Sequence, residues 1–302
     1  MASRPEQFQE KSEAIFRAEL HEGKAIEHTS ASVKNGNGEA SPLRLPGKAA
    51  LTGALPAVGA VLTVVLAWEL YADLSGIRPS PLPAPSRVLA QAWANRQALA
   101  DNSWPTLAAT LSGFAASLAT AFAFSVLMDF APSLRRAFMP LFIVSQTLPL
   151  VAIAPLIVLW FGFGLLPKIL LVALVTFFPM LVALLEGFAA TDRDIAELLV
   201  SMKAPRWRIF VLARLPSAMP YFFAGLRIAI TYAVVGAIFA EYAGAAKGLG
   251  IYMLNAKNNF RPDLVLAAVL VSACLTLLLF AAAVLAGHLC MPWRRRGTGD
   301  AP

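Results

Sequence analysis

Residues 168–188 read KILLVALVTFFPMLVALLEGF. Between Lys168 and Glu186 no charged side chain interrupts the run, and about 20 apolar residues in a helix are what a bilayer core of roughly 30 Å requires. The run is continuous rather than alternating and too long for a barrel strand, so a helix is the one spanning form it fits. Working outward, five more segments of this kind occur, at 51–71, 105–128, 138–161, 219–244 and 263–289. The pattern predicts an all-α integral membrane fold with six transmembrane helices.

Composition agrees. Of 302 residues 58% are apolar and 14% charged, against about 45–50% and 25% in a soluble domain. Too few charges remain to cover a soluble enzyme. The net charge of +7 raises nucleic-acid binding as an option, but that needs cations on one solvated face, and here most of them separate apolar runs. Cys274 and Cys290 lie in or beside a single run and read as packing residues, not as a disulfide or a metal site.

Residues 1–50 differ from the rest. They carry seven basic and seven acidic side chains and a Gly/Asn/Ser-rich stretch from Thr29 to Ser41. Acids mixed among the bases and no apolar core before Ala49 argue against a signal peptide. The expected organisation is a polar, largely flexible tail over 1–50, a membrane domain over 51–293 and a basic C-terminal tail over 294–302. Placing the N-terminus inside puts 17 of the 25 Lys and Arg residues on the cytoplasmic side, including Arg135, Arg136, Arg193, Lys203, Arg206, Arg208, Arg214 and Arg294–Arg296. Seven fall outside, Lys168 among them, so both termini are predicted cytoplasmic.

The outer segment 72–104 begins with Pro79, Pro81, Pro83 and Pro85, which favour extended backbone. Val88, Leu89, Ala92 and Trp93 then recur at helical spacing. This reads either as an amphipathic helix on the outer surface with Trp93 and Trp104 as interfacial anchors, or as a plain connection with a sticky face.

The cytoplasmic segment 189–218 reads AATDRDIAELLVSMKAPRWRIFVLARLPSA. Thr191 or Asp192 can cap a helix on which Ile195, Leu198, Leu199 and Met202 form one apolar face, with Arg193, Glu197 and Ser201 opposite. Pro205 ends that helix, and Leu215-Pro216 is expected to redirect the chain into the next span. The expectation is a helix, turn and helix lying with its apolar face on the membrane bundle.

The run from Glu197 to Pro216 resembles the loop of permease subunits of bacterial ATP-binding-cassette importers. In that family Glu-Ala-Ala is followed by a glycine and later by an apolar residue, any residue, Leu and Pro. Glu197, Leu215 and Pro216 match; Leu198 and Leu199 replace the alanines, Lys203 the glycine and Ala213 the larger apolar residue. The likeness extends over residues 50–293: Ser145-Gln-Thr-Leu-Pro-Leu-Val-Ala-Ile-Ala-Pro-Leu, Trp160-Phe-Gly-Phe-Gly, Pro220-Tyr-Phe-Phe-Ala-Gly-Leu-Arg, and Ala240-Glu before Gly248-Leu-Gly look like permeases for nitrate, sulfonate, taurine and thiamine-pyrimidine precursors. The resemblance implies a non-catalytic subunit with no cofactor, partnered by cytoplasmic ATPase subunits and an outer substrate-binding protein, as a homodimer in membrane lipid. It also implies a coupling helix, with Glu197, Ser201, Lys203, Ala204 and Arg206 as ATPase-docking residues.

Candidate path residues are Ser145, Gln146 and Thr147 in the third span, where prolines free carbonyls, with Thr231, Tyr232 and Glu241 in the fifth. Helix-to-helix hydrogen bonding is the competing role for each. Glu241 reads equally as a gate or as a contact between helices. Arg227, inside the fifth span, reads as a structural charge bonded to helix ends or carbonyls, or as a side chain snorkelling to the cytoplasmic interface. Gly244, Gly248 and Gly250 read as a turn. No catalytic or metal constellation is found, and the chain has no Gly-x-x-x-x-Gly-Lys phosphate loop. The expected cargo is a small polar or anionic nutrient, with a lean toward a hydroxymethylpyrimidine thiamine precursor. The alternative is an ion-coupled secondary transporter.

Overall fold

The computed structural model describes residues 49–74 and 82–291. The tails at 1–48 and 292–302, with Arg294–Arg296, lie outside the described residues, as do Pro79 and Pro81. Two compact units divide at Pro56; of the first only a helical stretch from Ala49 is described, and the helical bundle belongs to the second.

All regular structure among the described residues is helical. In chain order these are α1 (Ala49–Leu74), α2 (Pro85–Ala94), α3 (Arg96–Phe130), α4 (Pro132–Thr147), α5 (Leu150–Phe161), α6 (Leu165–Ala189), α7 (Arg193–Ser201) and α8 (Arg206–Ile209). A π turn (Phe210–Arg214) then leads into α9 (Leu215–Tyr242), followed by α10 (Leu249–Asn258) and α11 (Pro262–Cys290). Four helical stretches are long and apolar enough to cross a membrane: α3, α6, Arg206–Tyr242 and α11; the bent pair α4–α5 brings the number up to five. The first expected span falls within helix α1.

Residues 168–188 are the centre of the bundle, with α6 packed between α3 and α9. Small residues permit this closeness. A Cβ on Gly113 of α3 would lie 2.5 Å from the Val172 Cβ, and one on Gly225 of α9 2.4 Å from the Ala183 Cβ, both on α6. Backbones that approach this far gain dispersion contacts, which replace the hydrophobic effect as the association force inside lipid. Around them Met128, Met180, Leu181, Leu185 and Phe223 form the main core.

Of two expected bends, one is found and one is corrected. The third span, 138–161, where Pro149 and Pro155 predict a kink, bends sharply: α4 and α5 meet at 101°. Leu148 and Pro149 are extended there, with ψ of 125° and 121°; Pro149 supplies no N–H and pushes the residue before it out of the helical region. Conversely, Leu215-Pro216 does not redirect the chain. Leu215 N–H bonds Phe210 O, five residues back, and this wider turn carries α8 into α9 as one continuous helical stretch.

Candidate functional site

Asp192, not Thr191, caps α7, its Oδ1 accepting from Asp194 N at 2.9 Å. At its other end, Ala204 N–H bonds Leu199 O at 3.0 Å and Lys203 N–H bonds Val200 O at 2.8 Å. This crossed pair is the Schellman ending, which needs a left-handed residue in the Lys203 place. Lys203 adopts it, with φ of 56°, so the turn keeps the shape a glycine would give at a cost of about 1 kcal/mol. Glu197 Oε1 accepts from Arg193 Nε at 2.7 Å and Ser201 Oγ donates to Glu197 O at 3.0 Å, all exposed. Ala204 is half-buried and Arg206, which opens α8, is exposed.

The expected packing of α7 on the bundle is corrected: of its apolar face only Leu199 is half-buried, and Arg193 and Glu197 on the opposite face are exposed as well. Ile195, Leu198 and Met202 are 50%, 61% and 71% exposed, and no residue of α7 is buried. What anchors the loop is aromatic: Phe210 contacts Phe130 at 5.5 Å, Phe188 at 5.2 Å and Trp207 at 5.7 Å between ring centroids. An Arg214–Asp129 ion pair ties the π turn to the end of α3. Because these contacts do the holding, the apolar stripe of α7 is left free on the surface.

A cavity of about 730 Å³ lies between the α4–α5 elbow, α6 and α9. Of the residues singled out from sequence, Ser145, Gln146 and Tyr232 line it; Thr147 and Thr231 do not. Those two hydroxyls turn back onto their own helices, to Val144 O at 2.8 Å and Ile228 O at 2.7 Å. The wall also contains Phe178, Tyr221 and Glu186, which sequence reasoning missed, and Glu186 is its one charged side chain. Glu186 closes an apolar run near its end, and that position was its available signal. Arg227 is exposed and its Nε bonds Phe223 O at 3.1 Å, a carbonyl of its own helix and not of a neighbour.

Glu241 lies outside the cavity and is fully buried. Its carboxylate accepts from Gly250 N at 2.7 Å and sits 2.9 Å from Thr106 Oγ1 and 3.4 Å from Lys168 Nζ. Lys168 Nζ also reaches Lys247 O at 3.2 Å, and Thr106 Oγ1 accepts from Leu249 N at 2.9 Å. Of the two readings of Glu241, gate or helix contact, this is the geometry of a contact, joining α3, α6, α9 and α10. Gly248 and Gly250 do more than turn the chain. A Cβ on Gly248 would fall 2.2 Å from the carboxylate, so the chain wraps it at a distance only glycine permits. Lys168, expected on the outer surface, is 8% exposed; a buried carboxylate of this kind requires a paired, hydrogen-bonded cation. Nearby, Asp263 pairs with Arg87 at 3.6 Å and Arg261 at 3.1 Å, tying α2 to α11. Trp93 and Trp104 are each 72% exposed.

Comparison with known proteins shows the family. Residues 113–289 match the family described as binding-protein-dependent transport system inner membrane component. The chain is 34% identical to a formylaminopyrimidine transport permease protein of Halalkalibacterium halodurans, over 78% of this chain and 94% of that one. It is 33% identical to a riboflavin transport system permease protein of Chloroflexus aurantiacus (79% and 91%) and 31% identical to a taurine transport system permease protein of Escherichia coli (74% and 83%). A solved structure, described as an amino acid ABC transporter with histidines, shares the fold with a TM-score of 0.54 at 14% identity, over 65% of this chain and 95% of that one.

Proposed function

Since the chain belongs to the binding-protein-dependent transport system inner membrane components, a non-catalytic class of membrane transport subunit, we propose that it forms the translocation path of an ATP-driven importer as a homodimer. In this reading α1, α3, the bent α4–α5 pair, α6, α9 and α11 make six spans, both termini are cytoplasmic in the inner membrane, and α7 is the coupling helix. The carrying observation is that α7 presents Ile195, Leu198 and Met202 outward from a fixed, capped turn. Glu197, Ser201, Lys203, Ala204 and Arg206 surround that face and dock the ATPase. An outer binding protein delivers the cargo, and ATP-driven closure of the ATPase dimer is passed through α7 to the spans.

The cavity lined by Ser145, Gln146 and Tyr232 is the path within one copy. Thr147 and Thr231 belong to the path only where a second copy faces them. Glu241 shapes the path from behind, and Arg227 is a structural charge held on a carbonyl of α9. For cargo, the reading favours a pyrimidine precursor of thiamine over sulfonate, taurine or nitrate. The formylaminopyrimidine relative supports this, as does an aromatic lining from Phe178, Tyr221 and Tyr232 beside the Gln146 amide, a surface suited to a planar heterocycle.

The test is reconstitution in proteoliposomes with the adjacent ATPase and binding protein. Uptake that requires ATP hydrolysis, and that Glu197→Lys uncouples from hydrolysis, is expected; uptake by the chain alone on a proton or sodium gradient would overturn the reading in favour of a secondary transporter. Calorimetry on the binding protein with an aminopyrimidine and with taurine decides the cargo.

A further inference from the structure

Where α3 and α6 end beside the π turn, two cavities of about 510 and 260 Å³ share the Asp129–Arg214 pair as a common wall. Arg135 at the start of α4 and Arg193 of α7 line the larger, and Arg206 of α8 lines the smaller. Two of the four guanidinium groups are engaged, Arg214 by Asp129 and Arg193 by Glu197. Arg135 and Arg206 have no ion pair among the described residues, which leaves an excess of two positive charges around a recess. The floor of the larger cavity is oily: Met128, Leu185 and Phe188 are 1%, 3% and 4% exposed.

The recess therefore pairs a cationic rim with an apolar floor, and it sits at the level where two spanning helices stop. A guanidinium fork matches phosphate oxygens with two parallel hydrogen bonds, and basic pockets between spanning helices at a membrane face suit lipid headgroups. The facing of α7 keeps the recess open. At about 100° per residue, Arg193 and Ala196 share the side that lines the larger cavity, while Ile195, Leu198 and Met202 lie on the opposite side. A partner seated on the apolar side and on Arg206 leaves the larger cavity, with Arg135, uncovered. Inorganic phosphate offers the same oxygens but nothing for the floor.

We propose that this recess binds the phosphate of an anionic phospholipid from the adjoining leaflet, with Arg135 as its main free contact. The inference rests on the membrane placement of the spans and not on transport, so it stands or falls separately from the importer reading. The experiment uses the full chain, purified in detergent and stripped of lipid, with phosphatidylglycerol, phosphatidylcholine or inorganic phosphate added and binding read by native mass spectrometry and thermal shift. Phosphatidylglycerol is expected to bind at least about tenfold more tightly than phosphatidylcholine, and Arg135→Glu to remove about tenfold of that affinity. Arg136→Glu makes the same charge change one residue along, outside both cavities, and is expected to leave affinity within about twofold. Equal losses in the two variants would reveal only diffuse attraction and overturn the site. Inorganic phosphate that displaces phosphatidylglycerol with equal affinity would overturn the lipid assignment. Should Arg135→Glu not fold, Arg135→Gln in the same assay decides, with a loss of about fivefold expected and no loss overturning the proposal.

Discussion

The two ends of the bundle solve opposite problems. At the Glu241 end, polar groups are buried and satisfied: a carboxylate, an ammonium, a threonine hydroxyl and two backbone N–H groups close on one another with no water needed. At the α7 end apolar side chains stand exposed on a short helix whose only internal ion pair is on the surface. The first arrangement fixes the relation of four helices; the second leaves a face uncommitted. In the proposed reading, stability and partner binding are concentrated at different ends, and single substitutions should separate them.

Five variants test that separation, from the largest effect down. Glu241→Ala leaves Lys168 buried and unpaired, which should cost about 3–5 kcal/mol, seen as a large fall in thermal stability in detergent. The double change Glu241→Leu with Lys168→Met should lose much less than the single one. Gly250→Ala places a Cβ 2.6 Å from Ile238 O and 2.8 Å from the Glu241 Cβ, and should cost about 1–3 kcal/mol by overpacking in the same melt. Leu198→Asp should move stability by no more than about 0.5 kcal/mol, since the site is exposed. It should nevertheless weaken association with the ATPase about tenfold, read by co-purification and by ATPase coupling. A Leu198→Asp protein that melts early would erase the contrast between the ends. Lys203→Gly should stabilise by about 0.5–1 kcal/mol, because the left-handed turn is already formed and glycine adopts it freely.

Much of the fold was legible, because a long uncharged apolar run has few alternatives to a membrane helix. A kink in the third span was legible from its prolines, but its size of 101° was not: Pro140, Pro155, Pro179 and Pro220 all sit inside helices that continue. The cap at Asp192 and the apolar stripe of α7 were readable, yet most of the stripe lies exposed instead of packed on the bundle. Periodicity reports that a face is apolar, not whether it meets its own chain or another. Lys168 and Glu241 are 73 positions apart, and each alone reads as an ordinary charge at a helix end. Only the antiparallel pairing of α6 and α9 brings them together. Trp207 and Phe210 were readable as a short apolar stripe, but their partners Phe130 and Phe188 were hidden for the same reason.

The π turn at Phe210–Arg214 has a mechanical meaning. Because it replaces a break, Arg206 to Tyr242 is a single strut of 37 residues, about 55 Å long at 1.5 Å per residue. One end stands beside the α7 turn, its middle forms a wall of the cavity through Tyr221 and Tyr232, and its far end is clamped at Glu241. In the proposed reading, a displacement at Arg206 would reach the cavity wall along one unbroken helix, with no loop between them to absorb it.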